Sequence, residues 1–158
     1  MPANPLDAHD FNIWVDAPAV QAVLRALPGR VFMSARNAAD HVPLTAAFRE
    51  RLAIDRTTPA DIVYPIASDP LIVEGEQGGT LSGILWWDPL AAVTATVRGV
   101  ETLRPMHVTV VQSGTDEGRT VVDPRGTLVH FGVSASADRF HDAFIDLLND
   151  RRPVRSRP

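Results

Sequence analysis

Histidine has the widest catalytic range of the residue types in this sequence, because imidazole titrates near neutral pH and also binds metal ions. There are five: His9, His41, His107, His130 and His141. No two of them have the spacing of a helical zinc motif. Ser134, His130 and Asp142 supply the residue types of a nucleophilic triad, but no serine lies in a Gly-x-Ser-x-Gly turn. The sequence therefore predicts no catalytic residue, no metal ligand and no cofactor.

Two glycine-rich loops carry pairs of carboxylates. Glu74 and Glu76 flank a glycine in the first loop, and Asp116 and Glu117 are adjacent in the second. Carboxylate oxygens bind calcium, but neither loop has the spacing of a calcium-binding loop. The first loop, residues 75–79, also lacks the glycine spacing and the lysine of a phosphate-binding loop. Both loops are interpreted as hairpin turns with solvated acidic residues.

The segment Trp86-Trp87-Asp88-Pro89 is the least ordinary in the chain. Adjacent residues of a strand face opposite sides, so a buried Trp86 would leave Trp87 against a covering helix or in solvent. The alternative is that helices cover both faces of the sheet and bury both indoles. Exposed aromatic side chains beside acidic groups are frequent anchors in protein interfaces. The residues predicted to contact a partner are Glu74, Glu76, Trp87, Asp88, Asp116 and Glu117.

The positions of these residues depend on the secondary structure, which the spacing of apolar residues predicts. Helical spacing indicates helices over residues 17–27, 43–53 and 137–149. Short apolar or β-branched runs between turn residues predict strands at 31–34, 62–66, 71–74, 81–87, 92–97, 106–112, 120–123 and 127–133. Connections this short join antiparallel neighbours. We therefore expect an α+β fold: an antiparallel meander or Greek-key sheet of about six or seven strands, with two N-terminal helices and one C-terminal helix packed on it.

Composition and charge limit the classes of protein further. The 158 residues are 45% apolar, contain no cysteine and hold no run long enough to span a membrane. One domain is expected over residues 1–150, followed by a flexible arginine- and proline-rich tail, 151–158. All 19 acidic residues lie before the tail with 11 arginines, a net charge of −8. Phosphate backbones repel such a body, so nucleic acid binding through it is not expected. The first residues lack a secretory signal, which predicts a cytoplasmic location.

Three function classes fit these observations, and the first is favoured. It is a small acidic cytoplasmic domain that binds a basic protein by surface complementarity, as an inhibitor, an immunity-type protein or an escort, and is not an enzyme. The second is a small-molecule-binding or hydrolytic domain with a pocket between the sheet and the C-terminal helix. The third is a structural subunit of a phage or other assembly. The oligomeric state stays open.

Overall fold

The computed structural model describes residues 10–54, 58–69, 76–77 and 80–149. Contacts within the chain divide it into two compact units. The first unit comprises residues 1–33 and 103–132, and the second comprises residues 34–102 and 133–158. The single domain over residues 1–150 stays a prediction. The tail at 151–158 lies outside the described residues.

The secondary-structure elements fall into two groups by unit. The first unit contains α1 (Phe11–Trp14), α2 (Ala17–Ala26), β1 (Phe32–Met33), β6 (Thr120–Val122) and most of two longer strands, β5 (Glu101–Val110) and β7 (Thr127–Ala135). The second unit contains α3 (Arg36–Ala39), β2 (Pro43–Thr45), α4 (Ala46–Ile54), α5 (Thr58–Ala67), β3 (Glu76–Gln77), β4 (Thr80–Leu85), α6 (Trp87–Thr96) and α7 (Ala137–Leu148). Among the described helices, none is long and apolar enough to cross a membrane.

The core of the first unit forms where α2 packs on its sheet. The carboxylate of Asp16 accepts a hydrogen bond from the backbone N–H of Ala19 (2.9 Å) and so caps the helix. Buried beneath it, the side-chain oxygen of Gln21 accepts hydrogen bonds from the Val110 backbone N–H (2.8 Å) and from the Thr109 hydroxyl (2.9 Å). The apolar residues of this core are Ile13, Ala17, Leu24, Val108, Val110 and Val129. The helix predicted at residues 17–27 is confirmed, one residue shorter.

The sheets differ from the predicted antiparallel meander. A four-stranded sheet has the order β1-β7-β5-β6, in which β1 runs parallel to β7 and β6 runs antiparallel to β5. A separate three-stranded antiparallel sheet has the order β2-β4-β3. The prediction of one antiparallel sheet with three helices is therefore wrong. The short turns were interpreted as connections between antiparallel strands, but two of the segments that these turns bound are helices.

Those two segments are residues 62–66 and 92–97, which were predicted as strands. They lie in α5 and α6, except for Val97, which caps the end of α6. Both are short runs rich in β-branched residues, and such runs do not distinguish a buried strand from a buried helix. In α6 the buried residues Leu90 and Val93 are three apart, which is helical spacing.

The other predicted elements have mixed outcomes. The strands at 31–34, 120–123 and 127–133 and the C-terminal helix are confirmed, with shifted ends. The strand at 106–112 is confirmed within β5, which begins five residues earlier. In the helix predicted at 43–53, the first three residues form β2 instead, and α4 begins at Ala46. The strand predicted at 71–74 lies outside the described residues.

Position 118 requires glycine, both because of its backbone conformation and because of the atoms that surround it. Its φ is +85°, and an added Cβ would lie 2.6 Å from the Cβ and 2.7 Å from the Cα of Trp14. We expect Gly118→Ala to lower the free energy of unfolding by at least about 2 kcal/mol, because a left-handed conformation and a backbone clash both oppose the methyl group. Gly114→Ala is the matched control, since Gly114 has φ +88° but nothing within 4 Å of the added Cβ. It should cost about 1 kcal/mol. Equal losses in urea unfolding would contradict the packing argument.

Candidate active-site segment

An aromatic cluster in the second unit surrounds Phe48, which is buried in α4. The ring of Trp86 meets it edge-on, with centroids 5.6 Å apart, and the imidazole of His141 stacks on it at 4.1 Å. Phe140 and Phe144 lie at 6.4 Å and 6.0 Å. Phe140, His141 and Phe144 come from adjacent turns of α7, whose apolar stripe faces this core. The cluster ties α4 and α7 to the residue that precedes α6.

Trp86 lies between the end of β4 and the start of α6. Its ring also packs against Phe144, at 5.3 Å, and Phe140, at 6.1 Å. The ring contacts hold this junction in place, because a large aromatic side chain loses substantial buried area if it moves. The next two residues, Trp87 and Asp88, form the first turn of α6. The ring contacts of Trp86 therefore fix the position of the helix start that carries Trp87 and Asp88.

Trp87 and Asp88 are exposed. The side chain of Trp87 is 47% exposed, and that of Trp86 is partly buried. The sequence left open whether Trp87 is exposed or buried, and the structure shows it exposed. The predicted strand over residues 81–87 is wrong beyond Leu85, because Trp87 begins a helix. The carboxylate of Asp88 lies in the first turn, where negative charge is favourable. We call Trp87 and Asp88 the candidate site.

The other predicted contact residues lie elsewhere. Asp116 is exposed, and its Oδ2 lies 3.6 Å from Nη1 of Arg119. Glu117 is half-buried. Asp116 and Glu117 both belong to the first unit. Glu76 lies in β3, and its side chain is not described. Glu74 lies outside the described residues. As contacts to a protein partner, these residues stay predictions. Of the predicted contact residues, Trp87 and Asp88 are neighbours in one described helix.

The described histidines have local structural partners. Nδ1 of His41 lies 2.8 Å from the Asn37 carbonyl oxygen, and Nδ1 of His107 lies 3.0 Å from that of Gly126. His130 stacks on Phe32 in the first unit, whereas Ser134 and Asp142 belong to the second. His9 lies outside the described residues. Among the residues that the structure places, no three histidine or acidic side chains group as metal ligands.

The environment of His141 determines its charge. Burial lowers the pKa of its imidazole, and the positive charge of Arg51 lowers it further, against the opposing effects of Asp138 and Asp142. Arg51 and Asp142 form an ion pair with an N–O distance of 2.7 Å. His141 is thereby held neutral at neutral pH. It packs on Phe48 as an aromatic ring.

Sequence analysis missed a buried acid. Glu101, at the start of β5, is only 7% exposed, and its Oε1 accepts a hydrogen bond from the hydroxyl of Ser34. Its Oε2 is buried without a hydrogen-bond partner. Burial raises the pKa of the carboxyl, and the Ser34 bond opposes this shift only in part. Sixty-seven positions separate the two residues, so no local pattern could have paired them.

We expect this carboxyl to make stability depend on pH. Because the folded-state pKa is raised, the folded protein binds the proton more tightly, so stability falls as pH rises from 4.5 through the folded pKa. Glu101→Gln keeps the acceptor for Ser34 but cannot ionise. Its stability relative to the natural protein should therefore be greater at pH 8 than at pH 5 in urea unfolding. Glu50→Gln, at an exposed position of α4, is the control and should show no such change. An equal stability difference at both pH values for Glu101→Gln would refute the expectation.

A shallow apolar groove of about 300 Å³ lies between α6 and α7. It is lined by Pro89, Ala92, Val93, Thr96, Phe144, Leu147 and Leu148. It begins one residue after Asp88. None of these lining residues has a titratable side chain.

Several solved structures share this fold. An inosine-uridine preferring nucleoside hydrolase from Bacillus anthracis superimposes with a TM-score of 0.71 at 24% identity, over 90% of this chain and 45% of that one. A purine-preferring ribonucleoside hydrolase from Gardnerella vaginalis has a TM-score of 0.68 at 20% identity, over 90% and 46%. A plant nucleoside hydrolase has a TM-score of 0.71 at 18% identity, over 87% of this chain and 46% of that one. The chain thus spans slightly less than half the length of these proteins.

The family model agrees with the fold. Residues 2–142 match the model of the inosine-uridine preferring nucleoside hydrolases, and the chain belongs to that family. No curated protein sequence matches the chain. The favoured prediction of a protein-binding inhibitor, immunity protein or escort is therefore wrong, and the hydrolytic alternative fits better. That prediction relied on the lack of recognised catalytic motifs, which does not exclude membership of an enzyme family.

Proposed function

We propose that this chain supplies substrate-binding residues to an enzyme that hydrolyses ribonucleosides. In this reaction the bond between C1′ of the ribose and a nitrogen of the base breaks. The oxygen of water bonds to C1′, and the base leaves with a proton. The family match over residues 2–142 is the observation that carries the proposal.

The two residues of the candidate site complement the two parts of a nucleoside. Trp87 has an exposed indole, and stacking of a base on an aromatic ring contributes about 1–3 kcal/mol. Asp88, the following residue of α6, is exposed, and its carboxylate can accept hydrogen bonds from ribose hydroxyls. Positive charge develops on the sugar as a glycosidic bond breaks, and a nearby carboxylate stabilises that charge.

Trp86 makes this arrangement more effective. Its ring is held by Phe48, Phe140 and Phe144, so the start of α6 does not have to become ordered when substrate binds. Such preorganisation lowers the entropic cost of binding and of reaching the transition state.

The cytoplasmic location predicted from the sequence is compatible with this substrate class, because nucleic acid turnover releases nucleosides inside cells.

Substitution of Trp87 tests its proposed stacking role. With protein isolated from its native host and inosine or uridine as substrate, Trp87→Ala should raise KM about 5- to 150-fold, the equivalent of about 1–3 kcal/mol of stacking. Trp87→Phe retains an aromatic face and is the control, with a much smaller change. Release of free base, followed by chromatography, gives the rates. Equal KM values for the two variants would contradict stacking on this side chain.

A further inference from the structure

Of the described histidines, His141 is the one that the fold buries. Only 9% of the residue is exposed, and its imidazole lies nearly parallel to the ring of Phe48, with an interplanar angle of 14°. Its Nε2 is buried and has no hydrogen-bond partner among the described residues. By contrast, His41 and His107 are exposed, and a ring nitrogen of each lies beside a backbone carbonyl oxygen. A proton added to His141 therefore enters a buried site that offers Nε2 no acceptor.

Protonation of this ring is unfavourable while α7 stays packed. An imidazolium donates a hydrogen from both nitrogens, and a buried donor without an acceptor destabilises the conformation that contains it. The guanidinium of Arg51, on α4, repels the added charge, whereas Asp138 and Asp142 of α7 attract it. Burial is the largest of these effects, so the pKa of the imidazole lies below its ordinary value of 6.5.

Few charges act on His141, although four helices meet around it. Helix α7 packs against α5 and α6, and its rings contact Phe48 of α4. The other charged or titratable side chains of these four helices are Arg49, Glu50, Asp61, Tyr64, Asp88, Arg139 and Asp146. None of them is among the groups that shift the pKa of His141. Acid therefore acts on the packing of α7 against α4 through the buried imidazole itself.

The ring of Phe48 connects His141 to the candidate site. One contact of Phe48 is the stacked imidazole, and another is the edge-on indole of Trp86, which directly precedes α6. When the imidazole leaves, Phe48 loses a stacked ring and the cluster loses buried area on its α7 side. The position of Trp86 depends on this cluster, so the start of α6 becomes less firmly held.

We propose that His141 is an acid-sensitive switch: protonation breaks its stack on Phe48, separates α7 locally from α4 and loosens the junction at Trp86. In the opened conformation the imidazole is in water and binds its proton at a higher pH than in the packed one. The packed conformation is therefore favoured at neutral pH, and it loses stability as the pH falls below 6.5. Weaker substrate binding in acid would follow for Trp87 and Asp88. That consequence rests on the proposed function, whereas the conformational change does not.

Fluorescence quenching of Trp86 tests the proposal without substrate. The chain has three tryptophans, so Trp14→Phe and Trp87→Phe leave Trp86 as the only indole. In the purified 158-residue chain, we expect the acrylamide quenching constant to rise at least about twofold from pH 8 to pH 5, because local opening exposes the ring. In the same background, His141→Phe keeps an aromatic ring against Phe48 but cannot bind a proton. Its quenching constant should not change.

His130→Phe is the matched control. His130 also stacks on a phenylalanine, Phe32, with centroids 4.7 Å apart, but it is half-buried and lies in the first unit. This variant should retain the full acid-induced increase in quenching. No increase in the protein that has His141, or an equal increase in the His141→Phe variant, would overturn the proposal.

An NMR titration gives a second measurement on the unsubstituted chain. The imidazole Hε1 resonance that disappears in His141→Phe belongs to His141, and we expect it to titrate with a pKa below 6.5. Attraction between an imidazolium and the face of the Phe48 ring acts in the opposite direction. A measured pKa at or above 6.5 would show that this attraction dominates and would refute the switch.

Discussion

Asp88→Asn is expected to lower kcat/KM for inosine and uridine about 100- to 1,000-fold. Asparagine has nearly the same size as aspartate but lacks the negative charge that opposes the positive charge developing on the sugar. Removal of one such preorganised group typically costs a factor of this size. The loss should appear largely in kcat, because the charge develops in the transition state more than in the bound substrate.

The matched control is Asp138→Asn. Asp138 is also an exposed acid in the first turn of a helix, α7, so its removal has a similar effect on a helix N-terminus. Its activity should stay within about twofold of the natural protein, as expected for a residue outside the site. If Asp88→Asn keeps more than half of the activity, or if both variants lose equally, Asp88 has no special role in the reaction.

Phe48→Ala is expected to destabilise the second unit by about 3–5 kcal/mol. Phe48 is fully buried, and its ring contacts those of Trp86, Phe140, His141 and Phe144. Truncation removes these contacts and leaves a cavity at the centre of the cluster. For a chain of this size, such a loss lowers Tm by roughly 6–20 °C.

Two control variants, Phe48→Leu and Trp87→Ala, test whether the loss of stability comes from the loss of buried packing. Leucine fills part of the cavity and should recover some of the lost stability. Trp87→Ala removes an exposed ring and should change the stability by less than about 1 kcal/mol. Calorimetry gives the three Tm values. A loss for Phe48→Ala no larger than that for Trp87→Ala would show that the cluster does not hold this unit together.

Local signals in the sequence predicted two helices well. Asp16 caps α2 and Ser136 caps α7, and the buried residues of both helices recur at helical spacing. By contrast, residues 62–66 of α5 and 92–97 at the end of α6 are short apolar runs, and these were taken for strands. The parallel pairing of β1 with β7 joins residues about 100 positions apart. No turn pattern encodes such a pairing.

The candidate site was predicted only in part. The unusual Trp86-Trp87-Asp88 segment was identified by composition, but the sequence left the exposure of Trp87 open, and the element predicted to carry it was wrong. The contact between Ser34 and Glu101 depends on tertiary structure alone. Family membership depends on similarity spread over residues 2–142, which a search for compact catalytic motifs does not detect.

Isotope labelling tests whether the protein hydrolyses nucleosides. Protein isolated from the native host is incubated with inosine in phosphate-free buffer made with H₂¹⁸O. We expect free hypoxanthine and ribose in equal amounts, with the label in newly formed ribose at C1 after correction for exchange with solvent. No release of base above the buffer blank, or release that requires added phosphate and yields ribose 1-phosphate, would contradict it.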